Sequence, residues 1–410
     1  MDKKYTLTKY ACYITNVSMA AVSTLSPLLF VTFREMYGIS YTLLGLLVVV
    51  NFSTQLIIDL IFTFFTKFFN ISKTLRTMPV ITVVGFLVYA LMPMIFPQNT
   101  YLWICLGTVI FSIAAGLNEV LISPVVAAIP SENPDSEMSK LHSVYAWGVV
   151  AVVIVSTLLL KLIGNENWMY LALLWALVPT TGAILFALCN IPDMNIGSGT
   201  EERGGFLNPG LLMCVACIFL GGASECTMAQ WISGFLEKAV RIPKLWGDIF
   251  GMALFSVCLG TGRTLYSKCG KNVYKVLKLG MAGAFLSYFI AAIFLNPIVS
   301  LVACVFTGFC VSMLWPGSLI YMEEKFPKVG VAAFAIMAAG GDFGASVAPQ
   351  LVGIVADIFG ASTWALNLSS IIGISSEQIG MRTGILIASA FPLAGVFLLM
   401  LMNKYFKKHR

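Results

Sequence analysis

Charge is the scarcest commodity in this sequence. Only 11% of its 410 residues are Asp, Glu, Lys or Arg, while 59% are hydrophobic and the mean hydropathy is +0.89. Soluble domains carry about a quarter charged residues, so a water-soluble globular fold is excluded. Histidine is rarer still. Two histidines rule out a histidine metal cluster and leave no support for a Ser-His-Asp set. The ten cysteines fall mostly inside apolar runs. Cys214 and Cys217 form a C-x-x-C with no second pair, so they read as small buried hydrophobes rather than zinc ligands. The glycines of "GTGRTLYSKCGK" (260–271) follow no predicted strand and make no phosphate loop. No catalytic constellation is left, so an enzyme is not expected, and no cofactor is implied.

What is present is a series of long apolar runs. A membrane span needs about 20 mostly apolar residues, and uncharged runs of that size recur at 10–33, 36–58, 78–118, 141–160, 167–192 and 383–403. Two more are interrupted by a single charge: 204–236 by Glu225 and 329–356 by Asp342. Turn residues divide the longest stretches, with "FPQNT" at 96–100 and Asn296-Pro297 as the breakers. The pattern predicts twelve helices, near 9–33, 41–66, 78–96, 101–129, 140–163, 167–190, 208–236, 246–267, 274–295, 298–323, 329–357 and 381–403. The uncharged but Ser-, Thr- and Asn-rich segment 358–380 reads as an outer loop or interfacial stretch. Most of the 25 lysines and arginines fall in alternate connections if the N-terminus is cytoplasmic, which places both termini inside. The formal net charge of +6 follows from this bias and does not point to nucleic acid.

One polar, Gly-rich stretch, "IPDMNIGSGTEERGGFLNPG" (191–210), falls near the middle. It suggests an N-terminal six-helix bundle over 1–190, a cytoplasmic loop over 191–207 and a C-terminal six-helix bundle over 208–410. The halves also repeat faintly. "GLNEVLISPVVAAIPSE" (116–132) aligns without gaps on "GFCVSMLWPGSLIYMEE" (308–324), matching Gly116 with Gly308, Pro124 with Pro316 and Glu132 with Glu324. Two repeated halves around a midplane site is a transporter design. The expected fold is an all-α membrane protein with twelve spans in two pseudo-symmetric bundles.

Within such a chain the informative residues are polar groups inside apolar helices, because burying a charge in the bilayer is costly and usually functional. Glu119 is the only charged residue between Thr77 and Ser131. It follows Asn118, and Pro124 frees a helical carbonyl one turn later. It is the first candidate for proton coupling or solute binding, with Glu225 and Asp342 as the others. Asp342 sits among glycines that let helices approach closely, so an interhelical structural bond competes with function there. Gln230 and Trp231 continue the segment of Glu225. Asn51, Gln55, Asp59, Thr63 and Lys67 recur every fourth residue and so share one helix face, which cannot look at lipid. Asp59 on that face, together with Arg263, is a candidate cytoplasmic gate. His142 opens the fifth helix, followed by Tyr145 and Trp147. Trp147, Trp231 and Trp315 could stack on a flat or sugar-like solute, or simply pack.

These residues resemble the major facilitator superfamily, and within it the fucose permease branch of sugar–proton symporters. "AGLNEVLISPVVAAIPSE" is similar to that branch's fourth-helix motif, and the resemblance implies that Glu119 is its substrate- and proton-linked glutamate. "KLHSVYAWGVV" resembles the fifth-helix motif, with His142 where an amide is common. "SMLWPGSLIYMEEKFPKVGVAAFAIMAAGGDFGASVAPQLVGIVAD" resembles the tenth and eleventh helices, and "GRTLYSKCGK" the second copy of the superfamily's inter-helix loop motif. The sequence departs from the branch at Ser23, where it can carry an aspartate, in the degraded first loop copy "KFFNISKTLR", and at Asp342. The expectation is a secondary transporter of a small polar organic solute, a sugar or sugar-like compound, with the proton as coupling ion. It would sit in the plasma-membrane bilayer, and one chain has enough helices to work as a monomer. The alternatives are a drug- or metabolite-exporting antiporter and a non-transporting receptor or scaffold.

Overall fold

The computed structural model describes residues 3–131, 134–192, 208–270, 272–327 and 331–408. It is all-helical. Among the described residues, twelve helices are long and apolar enough to cross a bilayer: α1 Thr6–Tyr37, α2 Tyr41–Phe65, α3 Ile71–Ile95, α4 Pro97–Ala128, α5 Lys140–Ile163, α6 Asn165–Leu188, α7 Pro209–Ala239, α8 Lys244–Cys269, α9 Val273–Ile293, α10 Pro297–Lys325, α11 Ala333–Gly360 and α12 Ser376–Lys408. At 1.5 Å per residue each exceeds the roughly 30 Å of a hydrocarbon core.

Asparagine sets many of the starts. Asn70, Asn208, Asn272 and Asn296 each accept a backbone N–H in the first turn of α3, α7, α9 and α10. Proline follows Asn208 and Asn296 as the first helical residue, where its missing N–H costs nothing. The start at Asn70 corrects the expected beginning of α3 at 78, because the basic turn with Lys73 and Arg76 is helix rather than loop. The segment 358–380 is also more ordered than expected. α11 runs to Gly360, Ser362 caps a separate helix Thr363–Ile372, and Gly373 ends that helix at φ 77°. A capping box of Ser375 and Gln378 then starts α12 at Ser376, ahead of the expected 381. The serines that look like loop are caps. Helix Thr363–Ile372 is too short to span a bilayer, yet it exposes Trp364, Leu366, Ile371 and Ile372. Arg382, in the first turns of α12, is buried. Its guanidinium donates to the carbonyls of Ala291, Ala292 and Phe294 at the end of α9, and to Ala239 at the end of α7.

The chain divides into two compact units, one of residues 1–32 and 50–199, the other of 33–49 and 200–410. Residues 193–207, most of the expected central loop, lie outside the described residues. The first unit has a core in which Phe62, Leu75, Met78, Leu121, Val125 and Phe186 pack together from four spans.

In the second unit, the turn between α1 and α2 is held by charge. Asp357 of α11 accepts the backbone N–H groups of Tyr41 (3.1 Å) and Thr42 (2.6 Å), capping α2 with a side chain from another helix. The Arg34 guanidinium lies 3.9 Å from the centre of the Tyr41 ring and pairs with Glu377 at 2.9 Å. The Tyr41 hydroxyl donates to the same carboxylate at 2.8 Å, and Lys238 pairs with Glu35.

The repeat between the halves has a packing basis. A Cβ on Gly116 of α4 would meet the Gln55 carbonyl of α2 at 2.9 Å. A Cβ on Gly308 of α10 would collide with the Phe255 carbonyl of α8. The two glycines do the same job, letting the fourth and tenth spans touch the backbone of the second and eighth. The prolines of the repeat differ in effect. α4 continues through Pro124, whereas α10 is two helices, Pro297–Val311 and Leu314–Lys325.

Candidate functional site

The polar stripe of α2 turns inward within the first unit. Asn51, Gln55 and Asp59 are all buried. The Asn51 side-chain oxygen accepts from Gln55 at 3.0 Å and from the Ser112 hydroxyl of α4 at 2.6 Å. Asp59 lies against Gly116, where a Cβ would come within 2.8 Å of its carboxylate. Glu119 is one turn further along α4, with a carboxylate oxygen within 4.8 Å of one on Asp59. Asp59 is buried but Glu119 is exposed, so only Glu119 faces open space. Two ionised carboxylates this close repel, and one proton or cation relieves the repulsion. Beside them the Asn118 amide donates to Asn16 of α1 at 3.3 Å, and Asn16 donates to the Leu141 carbonyl at 3.1 Å. The buried Asn118 oxygen has no partner among the described residues. Ser23, where the resembling branch can carry an acid, shares a 3.2 Å hydrogen bond with Tyr145 of α5.

The second unit builds a different site. Glu225 of α7 accepts from the Arg263 guanidinium of α8 at 2.9 Å, with side-chain exposures of 15% and 39%. Arg263 Nε donates at 3.0 Å to the Ser312 carbonyl, at the break in α10. Just past that break, Trp315 sets the edge of its indole into a crevice between two glycines. A Cβ on Gly222 of α7 would lie 3.0 Å from the ring, and one on Gly341 of α11 would lie 2.5 Å from it. Gly222 is one turn from Glu225, so the half-buried indole and the Glu225–Arg263 pair share one neighbourhood. The site offers an aromatic face, hydrogen-bond donors and an acceptor, with the pair's charges cancelling.

The chain matches the family model described as Major Facilitator Superfamily over residues 11–349. The chain belongs to the Major Facilitator Superfamily. A comparison with curated protein sequences gives no match. Solved facilitator-like structures share its fold at low identity. A bacterial homologue of the human lysosomal transporter Spinster, in an inward-facing and occupied conformation, aligns with TM-score 0.76 at 12% identity, over 100% of this chain and 99% of that one. The nucleoside transporter NupG aligns with TM-score 0.70 at 14% identity, over 99% and 100%. A D-xylose–proton symporter aligns with TM-score 0.70 at 13% identity, over 95% and 97%. Likeness at this identity establishes the fold, and with the family it makes the protein a multi-pass membrane transporter rather than an enzyme.

In this facilitator the sequence candidates sort by what they touch. Glu119 and Asp59 come together, and Glu225, Arg263 and Trp315 come together. Arg263, grouped with Asp59 as a gate on sequence grounds, has Glu225 as its charge partner. Gln230 is buried. Trp231 is fully buried, donates its indole N–H to the Pro349 carbonyl at 2.8 Å and meets the Tyr41 ring edge-on at 5.8 Å, so it packs helices and offers no stacking face. Trp147 is 66% exposed and His142 is also exposed. Asp342 is buried beside Gly341, where α7 and α11 come into backbone contact: a Cβ on Gly222 would lie 2.5 Å from the Gly341 carbonyl. Sequence reasoning missed Asn16, Ser112 and Ser312. Ser312 was findable, since it lies four residues before Pro316 and its carbonyl therefore loses its helical donor.

Proposed function

We propose that this facilitator carries a small polar organic solute, a sugar or sugar-like compound, by alternating access, with transport coupled to protons. The observation that carries the reading is the exposed Glu119 carboxylate within 4.8 Å of the buried Asp59. Such a pair holds one proton readily and loses it when another acceptor or a cation arrives. Glu119 takes up the proton and grips a solute hydroxyl, with Asn118 next to it in the chain and Tyr145, bonded to Ser23, as a further candidate. Taken by itself, the second unit's group of Trp315, Glu225 and Arg263 also suits a hydroxylated ring, with an aromatic face to stack on and an acceptor and donors for hydroxyls. Asp342, Gln230, His142 and Trp147 remain secondary candidates along the path. This role for Glu119 agrees with the fucose permease resemblance. Both termini are cytoplasmic, the membrane is the plasma membrane, and a monomer suffices.

The test is uptake into proteoliposomes of purified protein under an inward proton gradient, with labelled monosaccharides and Glu119→Gln in parallel. Accumulation in the wild type, lost in Glu119→Gln while counterflow persists, is expected. Uptake indifferent to both gradient and substitution would sink proton coupling and leave a facilitator. The paired carboxylates also suit a cationic cargo, so a second reading is a drug- or metabolite-exporting proton antiporter. Absence of any sugar uptake, with proton-driven extrusion of organic cations, would select it.

A further inference from the structure

We propose that Arg263 is a positioning residue of the transport cycle, linking the state of Glu225 to the break in α10. The starting point is Pro316. In a continuous helix the Ser312 carbonyl would accept from the N–H of residue 316, and proline has none. The helix gives way there: Met313 adopts φ −103° and ψ 2°, and Leu314–Lys325 begins as a new helix. The orphaned carbonyl is met by Arg263 Nε at 3.0 Å. The neighbouring Gly262 makes the approach possible, because a Cβ there would collide with the Ser312 hydroxyl. That hydroxyl donates back to Phe309 at 2.8 Å and closes the last turn before the break.

The same guanidinium is held at its other end by Glu225, at 2.9 Å through Nη2. That hold is incomplete. The second carboxylate oxygen of Glu225 is buried with no hydrogen-bond partner among the described residues. A proton, or a solute hydroxyl drawn to that oxygen, weakens the claim of Glu225 on Arg263. The half-exposed guanidinium then turns toward water. Its Nε leaves with it, and the Ser312 carbonyl loses its donor. Trp315, three residues on, moves with the break. Occupancy at Glu225 is thereby converted into a change at a helix hinge, and a hinge is what alternating access requires. The assignment of Glu225 to the solute path rests on the function proposed above. The connection between Glu225, Arg263 and the break does not depend on which solute is carried.

The experiment reads the break without any solute. Backbone amide hydrogen exchange is followed by mass spectrometry on the full-length protein in nanodiscs, for wild type, Glu225→Gln, Arg263→Lys and Arg263→Gln. Glu225→Gln removes the charge that holds the guanidinium and keeps the side-chain shape. It is expected to speed exchange across Leu314–Ser318 about tenfold, the loss of one charge-assisted hydrogen bond, with residues 299–306 unchanged. Arg263→Lys is expected to do the same, since an ammonium cannot fork to a carboxylate and a carbonyl at once. Adding Pro316→Ala to Glu225→Gln supplies an N–H to Ser312 and is expected to restore slow exchange. Wild-type exchange in Glu225→Gln, with fast exchange in Arg263→Gln, would overturn the proposal by making Arg263 a plain cap independent of Glu225. Wild-type exchange in every variant would overturn it as well. Should Arg263→Gln fail to fold, Glu225→Gln and its Pro316→Ala double decide alone. A protein that transports no sugar but shows this pattern would sink the substrate reading and leave the linkage standing.

Discussion

Single residues matter here mostly by what they are set against. Glu137 shows the rule outside the spans. It sits in the extra-membrane first turns of the fifth helix, Pro134–Ile163, paired with Lys9 and with Lys140 at 3.0 Å. Hydrogen bonds from Lys9 and then Lys140 hold its carboxyl down, from an ordinary 4.5 to about 2. Because the folded value is lowered, the pairing stabilises the protein fully above about pH 4.5 and is lost as pH falls toward 2. Glu137→Gln is therefore expected to lower the thermal midpoint at pH 7, with the deficit shrinking progressively below pH 4.5. A deficit that is constant over pH 3 to 7 would show the carboxylate charge to be irrelevant. Sequence alone shows two lysines and a glutamate scattered over more than a hundred residues. Only packing brings Lys9 to Glu137.

At the scale of elements, helix ends carry much of the specificity. The start of α2 is capped by Asp357, more than three hundred residues away, and its first turn is further clasped by Arg34 and Glu377. Asp357→Ala is expected to destabilise the protein by about 1–2 kcal/mol, the usual worth of a lost cap with its helix-dipole contribution. Asp357→Asn, which keeps an acceptor oxygen, should cost less. Thermal unfolding of both variants by tryptophan fluorescence would settle the order, and equal effects would assign the loss to packing instead. Local caps were legible in part: Asn208 and Asn296 stand just before a Pro that opens a helix, whereas the start at Asn70 was expected only at 78. A cap delivered from another helix leaves no local pattern.

For the whole molecule, the repeated Gly116 and Gly308 show that the halves share a packing plan, while Pro124 and Pro316 show how it diverges. The proline is the same, yet only α10 breaks, where Arg263 stands ready to take the freed carbonyl. An even number of candidate spans, twelve among the described residues, is expected to leave the two termini on one side of a bilayer. The abundance of lysine and arginine at the ends and in alternate connections leads us to propose that this side is the cytoplasm. Epitopes fused before Met1 and after Arg410 are expected to be protected together from protease in intact cells and digested together in inverted vesicles. Digestion of one alone would require an odd number of spans.

By itself the sequence determined that the chain lives in a membrane, how many times it can cross, and which few acids must have a reason to be there. Hydropathy and charge act along the chain, and the cost of burying a carboxylate in hydrocarbon is the same wherever the helix ends up. The tertiary structure alone decided which acid meets which partner: Glu119 beside Asp59, Glu225 on Arg263, Asp357 on the start of α2. It also decided that Trp231 is fully buried while Trp315 is only half-buried. Those pairings depend on how helices far apart in sequence are rotated and brought close, and glycines such as Gly116, Gly262 and Gly341 govern that closeness through the side chains they lack.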